Sequence, residues 1–104
     1  MKIPVHGYAA STLEIYGEED WTTDAPEIEA ACAAFRRGNK RALVFDRAAA
    51  DAVLDGLTTL SNTEDEQAVD RALRKHNPES ARFARLASDG LSRVSVRLCA
   101  ELRG

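Results

Sequence analysis

The stretch LSRVSVRLCAELR, Leu91 to Arg103, decides what fold this chain can build, because it satisfies two periodicities at once. Val94, Val96, Leu98, Ala100 and Leu102 alternate with Ser95, Arg97, Cys99, Glu101 and Arg103, the period of a half-buried strand. Leu91, Val94, Leu98 and Leu102 also fall on one face of a helix. The alternation has no exception, which favours the strand. Read so, the segment completes a small sheet and turns Cys99 to its polar side. Read as a helix, it leaves a sheet of three strands.

The other strands are expected near the N-terminus and at mid-chain. Over residues 2–9, Ile3, Val5 and Gly7 alternate with Lys2, Pro4 and His6. Over 12–17, Leu13 and Ile15 alternate with Glu14 and Tyr16, and a link at Ala10-Ser11 joins the two. Pro4 cannot donate to a ladder, which puts the first strand at an edge. RALVF, 41–45, is apolar on both faces and β-branched at Val44, as a central strand would be.

Helices fill the intervals. Asp24-Ala25-Pro26-Glu27 has the form of a capping box with proline in the first turn, and Ile28, Ala31, Cys32 and Phe35 make an apolar stripe behind it. Arg36 and Arg37 suit the helix C-terminus, and Gly38-Asn39 a left-handed stop. Asp46 can cap a second helix, with Ala49, Ala52, Val53, Leu57 and Leu60 on one side and Gly56 in the same stripe, open to a close neighbour. SNTEDEQ, 61–67, is polar and interrupts it. Thr63 to Glu66 can begin a third helix that reaches about His76. Asn77-Pro78 ends that one and starts a fourth, with Phe83, Ala84, Leu86 and Ala87 on its apolar side and a stop at Gly90. The order β-β-α-β-α-α-α-β predicts an α+β fold: a small, mostly antiparallel sheet of three to four strands with helices packed on one face.

At 104 residues the chain can fill one core, so residues 1–104 read as a single domain. Its 44% hydrophobic and 30% charged residues are ordinary for a globular protein and argue against wholesale disorder. No apolar run approaches the length of a membrane span, and Pro4, His6 and Gly7 break the stretch a signal peptide would need, so a cytoplasmic location is expected. Arginine outnumbers lysine eleven to three, the usage of a GC-rich bacterial or phage genome. Cys32 and Cys99 lie far apart with no CxxC pattern and read as reduced thiols, Cys32 within the core.

No nucleophile–base pattern, phosphate-cradling glycine motif or metal-ligand spacing occurs, so neither catalysis nor a cofactor or metal is expected. His6 and His76 read as surface groups. Glu18-Glu19-Asp20 lacks the alternate spacing and glycine of a calcium loop.

The charge layout is more informative than the net charge of −3. Residues 3–35 contain seven acidic groups and no lysine or arginine; 36–47 hold five basic groups; 48–70 hold six acidic and none basic; 71–104 hold eight basic and three acidic. Tyr16, Glu18, Glu19, Asp20, Trp21, Asp24 and Glu27 form the expected partner-binding set, an acidic cluster carrying two aromatic residues of the kind that enrich interface centres. Taken singly, Trp21 would as readily be core, and the three carboxylates a loop kept soluble by charge. Together they imply a small non-enzymatic protein–protein interaction module, an inhibitor or regulator that occupies its partner's basic surface, a nucleic-acid-binding complex included. In size and style alone the chain resembles the small inhibitors of phages and mobile elements, anti-CRISPR and antirestriction proteins among them; no family's motif is matched.

The alternative is a nucleic-acid-binding regulator. Helix–Asn-Pro–helix over 64–88 has the outline of a helix-turn-helix, with Arg71, Arg74, Lys75, Arg82 and Arg85 placed to meet phosphates. Self-association of the acidic block with the basic C-terminal block is a further possibility.

Overall fold

The computed structural model describes residues 1–18 and 25–104, and across them helix prevails. Strand β1 (Lys2–Pro4) leads into helix α1 (Gly7–Glu18). A 3-10 turn (Pro26–Ile28) enters α2 (Glu29–Arg37), followed by β2 (Ala42–Val44). A second 3-10 turn (Arg47–Ala49) enters α3 (Ala50–Leu73), and α4 (Pro78–Arg103) closes the chain. The only sheet among the described residues is the antiparallel pair β1–β2, with Ile3 opposite Leu43.

The expected α+β fold with a three- to four-stranded sheet is therefore overturned, at three places and for identifiable reasons. Residues 12–17 are helical: Ala9, Thr12 and Leu13 are buried and Tyr16 half-buried, the spacing of a helix face, while Ile15 points outward. The Ala10-Ser11 link lies inside α1. Residues 91–103 continue α4: Ala84, Ala87, Leu91, Val94 and Leu98 are buried, whereas Val96 is 69% exposed. The alternation there was incidental, because Val96 and Ala100 belong to the solvent side. Residues 61–67 do not interrupt α3 either. Ser61 and Glu64 extend the buried stripe of Val53, Leu57 and Leu60, because each meets a polar partner inside. RALVF accordingly has one strand neighbour instead of two.

α3 and α4 form a long antiparallel hairpin. Cross-links pair Arg47 with Leu102, Ser61 with Ser88, Asp65 with Arg85 and Arg71 with Ser80, partner numbers falling as the first numbers rise. The Ser61 hydroxyl shares hydrogen bonds with the hydroxyls of Ser88 at 3.1 Å and Ser92 at 2.9 Å, which satisfies three polar groups where the helices meet. Asn77 caps α4, its side-chain oxygen accepting from the Ser80 N–H at 3.1 Å, and Pro78 takes the first turn where no N–H is needed.

Two glycines mark close crossings. Gly56 of α3 lies under the entry to α2, where a β-carbon would come 2.9 Å from the Ala31 methyl and 3.0 Å from the Glu27 carbonyl oxygen. Gly90, expected to stop a short fourth helix, sits inside α4 and lets α1 approach through Ala9. α2 ends by a left-handed turn as expected, but Asn39 (φ 57°) and Lys40 (φ 60°) adopt it, while Gly38 stays at φ −87°. The core gathers side chains from every element, with Ile3, Leu13, Phe35, Leu43, Leu57 and Leu98 fully buried.

Candidate interaction surfaces

Three of the seven residues expected at an acidic contact fall within the described part, and the fold does not present them as an uncompensated patch. The left-handed Asn39–Lys40 turn carries Lys40 to α1, where its ammonium lies 3.1 Å from Glu18 and 3.5 Å from Glu14. The Glu18 carboxylate, by hydrogen bond and charge, and Glu14 behind it hold Lys40 above the ordinary lysine value. Arg36 likewise pairs with Glu29 at 3.0 Å. The basic block that follows in sequence thus folds back onto the acidic one. Glu27 is exposed and makes no ion pair among the described residues. Tyr16 is half-buried, and its hydroxyl donates to the Glu64 carboxylate at 3.1 Å, tying α1 to α3. Glu19, Asp20, Trp21 and Asp24 lie outside the described residues.

The five basic residues of the alternative are mostly engaged at the closed end of the hairpin. Arg71 donates to the Ser80 carbonyl at 3.4 Å. Arg74 and Lys75 both face Asp70, at 3.7 and 3.8 Å, and Arg85 faces Asp65 at 3.5 Å. Arg82 is exposed with no ion pair among the described residues. The two helices are long antiparallel neighbours, so the helix-turn-helix outline does not hold.

Two surfaces escape a reading by sequence. The first is an open groove of about 500 Å³ where α1, the Pro26–Ile28 turn, α3 and α4 come together, with Ile15, Tyr16, Ile28, Leu60 and Phe83 as its apolar lining. Phe83, expected on the buried side of its helix, is 44% exposed, and Tyr8 is 42% and Ile15 47% exposed. The Tyr8 and Phe83 rings meet edge to face with centroids 4.8 Å apart, which fixes both aromatics at the surface. Glu64 and Arg71 add one charge of each sign to the lining. The second surface is the solvent side of α4, where Arg82, Arg93, Arg97 and Arg103 are all exposed. Reading 91–103 as a strand divided these arginines between two elements; the spacing of Arg93 and Arg97, one helical turn, was the signal available.

Other reactive side chains are apart from these surfaces. Both cysteines are free thiols, Cys32 buried and Cys99 partly so. Burial pushes the Cys32 thiol up, against the pull of Arg36 and with a contribution from Glu29. Among the described residues no three His, Cys, Asp or Glu side chains gather to hold a metal ion, and no helix is long and apolar enough to cross a membrane. Comparison with known protein families, with curated proteins and with solved structures finds no match to this chain.

Proposed function

We propose that the chain is a non-enzymatic protein–protein interaction module whose contact centres on the groove between α1, α3 and α4. The observation that carries this reading is the exposure of Ile15 and Phe83 in one groove, with Tyr8 exposed beside it against the Phe83 ring. The Tyr8–Phe83 contact contributes to the fold, but the exposed part of these side chains is apolar surface left facing water, and contiguous apolar patches mark contact sites. Rigid aromatic anchors around a concavity are the usual centre of an interface, with a polar rim around them.

The occupant is a segment of a protein partner that supplies an apolar side chain to the groove and basic residues beside it. Charge complementarity favours this choice. Glu27, exposed and in no ion pair among the described residues, immediately precedes Ile28, and Glu64 lies in the lining, whereas Arg71, the one cation in the described lining, is turned to the Ser80 carbonyl. An inhibitor or regulator of this kind acts by occupying a basic surface of its target. It needs no chemistry of its own.

Affinity capture tests the reading: the immobilised chain is exposed to cell lysate beside its Phe83→Asp variant. A protein retained by the parent chain and lost with Phe83→Asp supports the groove. Retention of the same proteins by both contradicts it, and recovery of the chain itself would assign the groove to self-association.

A further inference from the structure

We propose that the solvent face of α4 binds the phosphate backbone of duplex nucleic acid. The buried residues of this helix, Ala84, Ala87, Leu91, Val94 and Leu98, define its inner side. Opposite them, Arg82, Arg85, Arg93, Arg97 and Arg103 fall within about a third of the helix circumference at 3.6 residues per turn. All five are exposed. Four of them make no ion pair or side-chain hydrogen bond among the described residues, and Arg85 touches Asp65 only at 3.5 Å. Asp89 is the one carboxylate within the stripe, with Glu79 and Glu101 at its margins.

Opposite charges stand at i, i+4 on this face too, with Asp89 between Arg85 and Arg93 and Glu101 after Arg97, but among the described residues neither carboxylate closes an ion pair with them, as Asp70 does with Arg74 on α3. Arg93 is also followed at i+4 by Arg97, a like-charge pair that costs the helix stability and supports nothing inside the fold. Guanidinium groups are the side chains best suited to phosphate oxygens, which they bind through paired N–H donors. From Arg82 to Arg103 the row is about 32 Å long at 1.5 Å rise per residue. A duplex carries an anionic charge per ~1.7 Å of its axis, both strands counted, so a row of this length lies along a densely anionic surface. The chain's carboxylates lie predominantly on other elements, which lets an acidic protein present one cationic edge. The surface is distinct from the hairpin-end residues Arg71, Arg74 and Lys75, of which Arg71 reaches the Ser80 carbonyl and Arg74 and Lys75 stand beside Asp70.

The test is fluorescence anisotropy with a labelled random-sequence duplex across a salt series. Phosphate contacts by the four arginines without an ion pair, Arg82, Arg93, Arg97 and Arg103, predict an affinity that falls about 150-fold between ~50 and ~200 mM salt, independent of sequence. Arg93→Glu with Arg97→Glu is expected to weaken binding at least ~10-fold at low salt and to reduce the salt slope by about two. Arg37→Glu with Arg41→Glu changes net charge equally at the end of α2 and should shift affinity only about twofold. Neither pair makes an ion pair within the described fold, and an unchanged melting temperature confirms that each variant is folded. Arg82→Gln with Arg103→Gln provides a milder second variant, expected to lower the slope in the same way. Equal losses in the α4 and α2 double variants would overturn the proposal. So would the absence of duplex binding at low salt, including the case in which polyglutamate binds and the duplex does not, which would assign the face to an acidic polypeptide.

Discussion

Gly90 of α4 rests against Ala9 of α1: a β-carbon at residue 90 would stand 3.2 Å from the Ala9 methyl and 3.4 Å from its backbone nitrogen. This contact lets α1 lie down on the hairpin and brings Tyr8 within reach of Phe83. Gly90→Val is therefore expected to lower stability by about 1–3 kcal/mol through overpacking. Chemical denaturation measures it, and loss of the exposed aromatic pair's geometry should accompany it as a change in near-ultraviolet circular dichroism.

Gly56 is the tighter crossing, and there even alanine does not fit. Its methyl would meet Ala31 at 2.9 Å and the Glu27 carbonyl at 3.0 Å, and the latter is backbone that cannot swing aside. Gly56→Ala should destabilise by about 1–3 kcal/mol, reversing the gain of up to ~1 kcal/mol that the substitution brings in an unconstrained helix. The sign of the change in urea midpoint decides between crowding and helix propensity.

Tyr16→Phe removes the hydroxyl that donates to Glu64 at 3.1 Å and leaves that carboxylate facing an apolar ring edge. The expected loss is about 1–3 kcal/mol, the cost of under-satisfying a buried polar group. Glu64→Leu in the same background should recover part of it, since it removes the acceptor along with the need for a donor. A double-mutant cycle in thermal unfolding reads the coupling.

The cysteines should separate in reactivity. Burial raises the Cys32 thiol, whereas Cys99 sits partly exposed on α4. One equivalent of an aromatic disulfide reagent should react rapidly with the native chain, at Cys99, and the second only on unfolding. Cys99→Ser should abolish the fast phase and Cys32→Ser leave it intact.

What was legible in the sequence was the part of the fold whose pattern is local. The α2 stripe of Ile28, Ala31, Cys32 and Phe35 is buried as its spacing implies, and Asn77-Pro78 both ends one helix and caps the next. The close approach at Gly56 was also readable, as a gap in an apolar stripe. Illegible were features that depend on distant partners. Ser61 and Glu64 look like a polar interruption until Ser88 and Tyr16 arrive to bond them. Residues 12–17 and 91–103 alternate by accident, because Ile15 and Val96 are apolar side chains that remain in water. The same exposure hid the groove. Ile15 and Phe83 are ordinary apolar residues in sequence and become a surface only when three helices place them side by side. Tyr16, chosen for its aromatic ring beside the acidic run, is half-buried and anchors α1 to α3, and Lys40 neutralises the carboxylates next to it.

The groove is the centre of this account, and side-chain footprinting of the chain with and without its captured partner tests it most directly. Carbene or hydroxyl-radical labelling reports on Ile15 and Phe83 in the groove and on Tyr8 beside Phe83, while Leu73 (70% exposed) and Val96 (69%) serve as internal references on other faces. The partner is expected to suppress labelling strongly at Tyr8, Ile15 and Phe83 and to spare Leu73 and Val96. Unchanged labelling of Tyr8 and Phe83 in a demonstrably bound complex would contradict it.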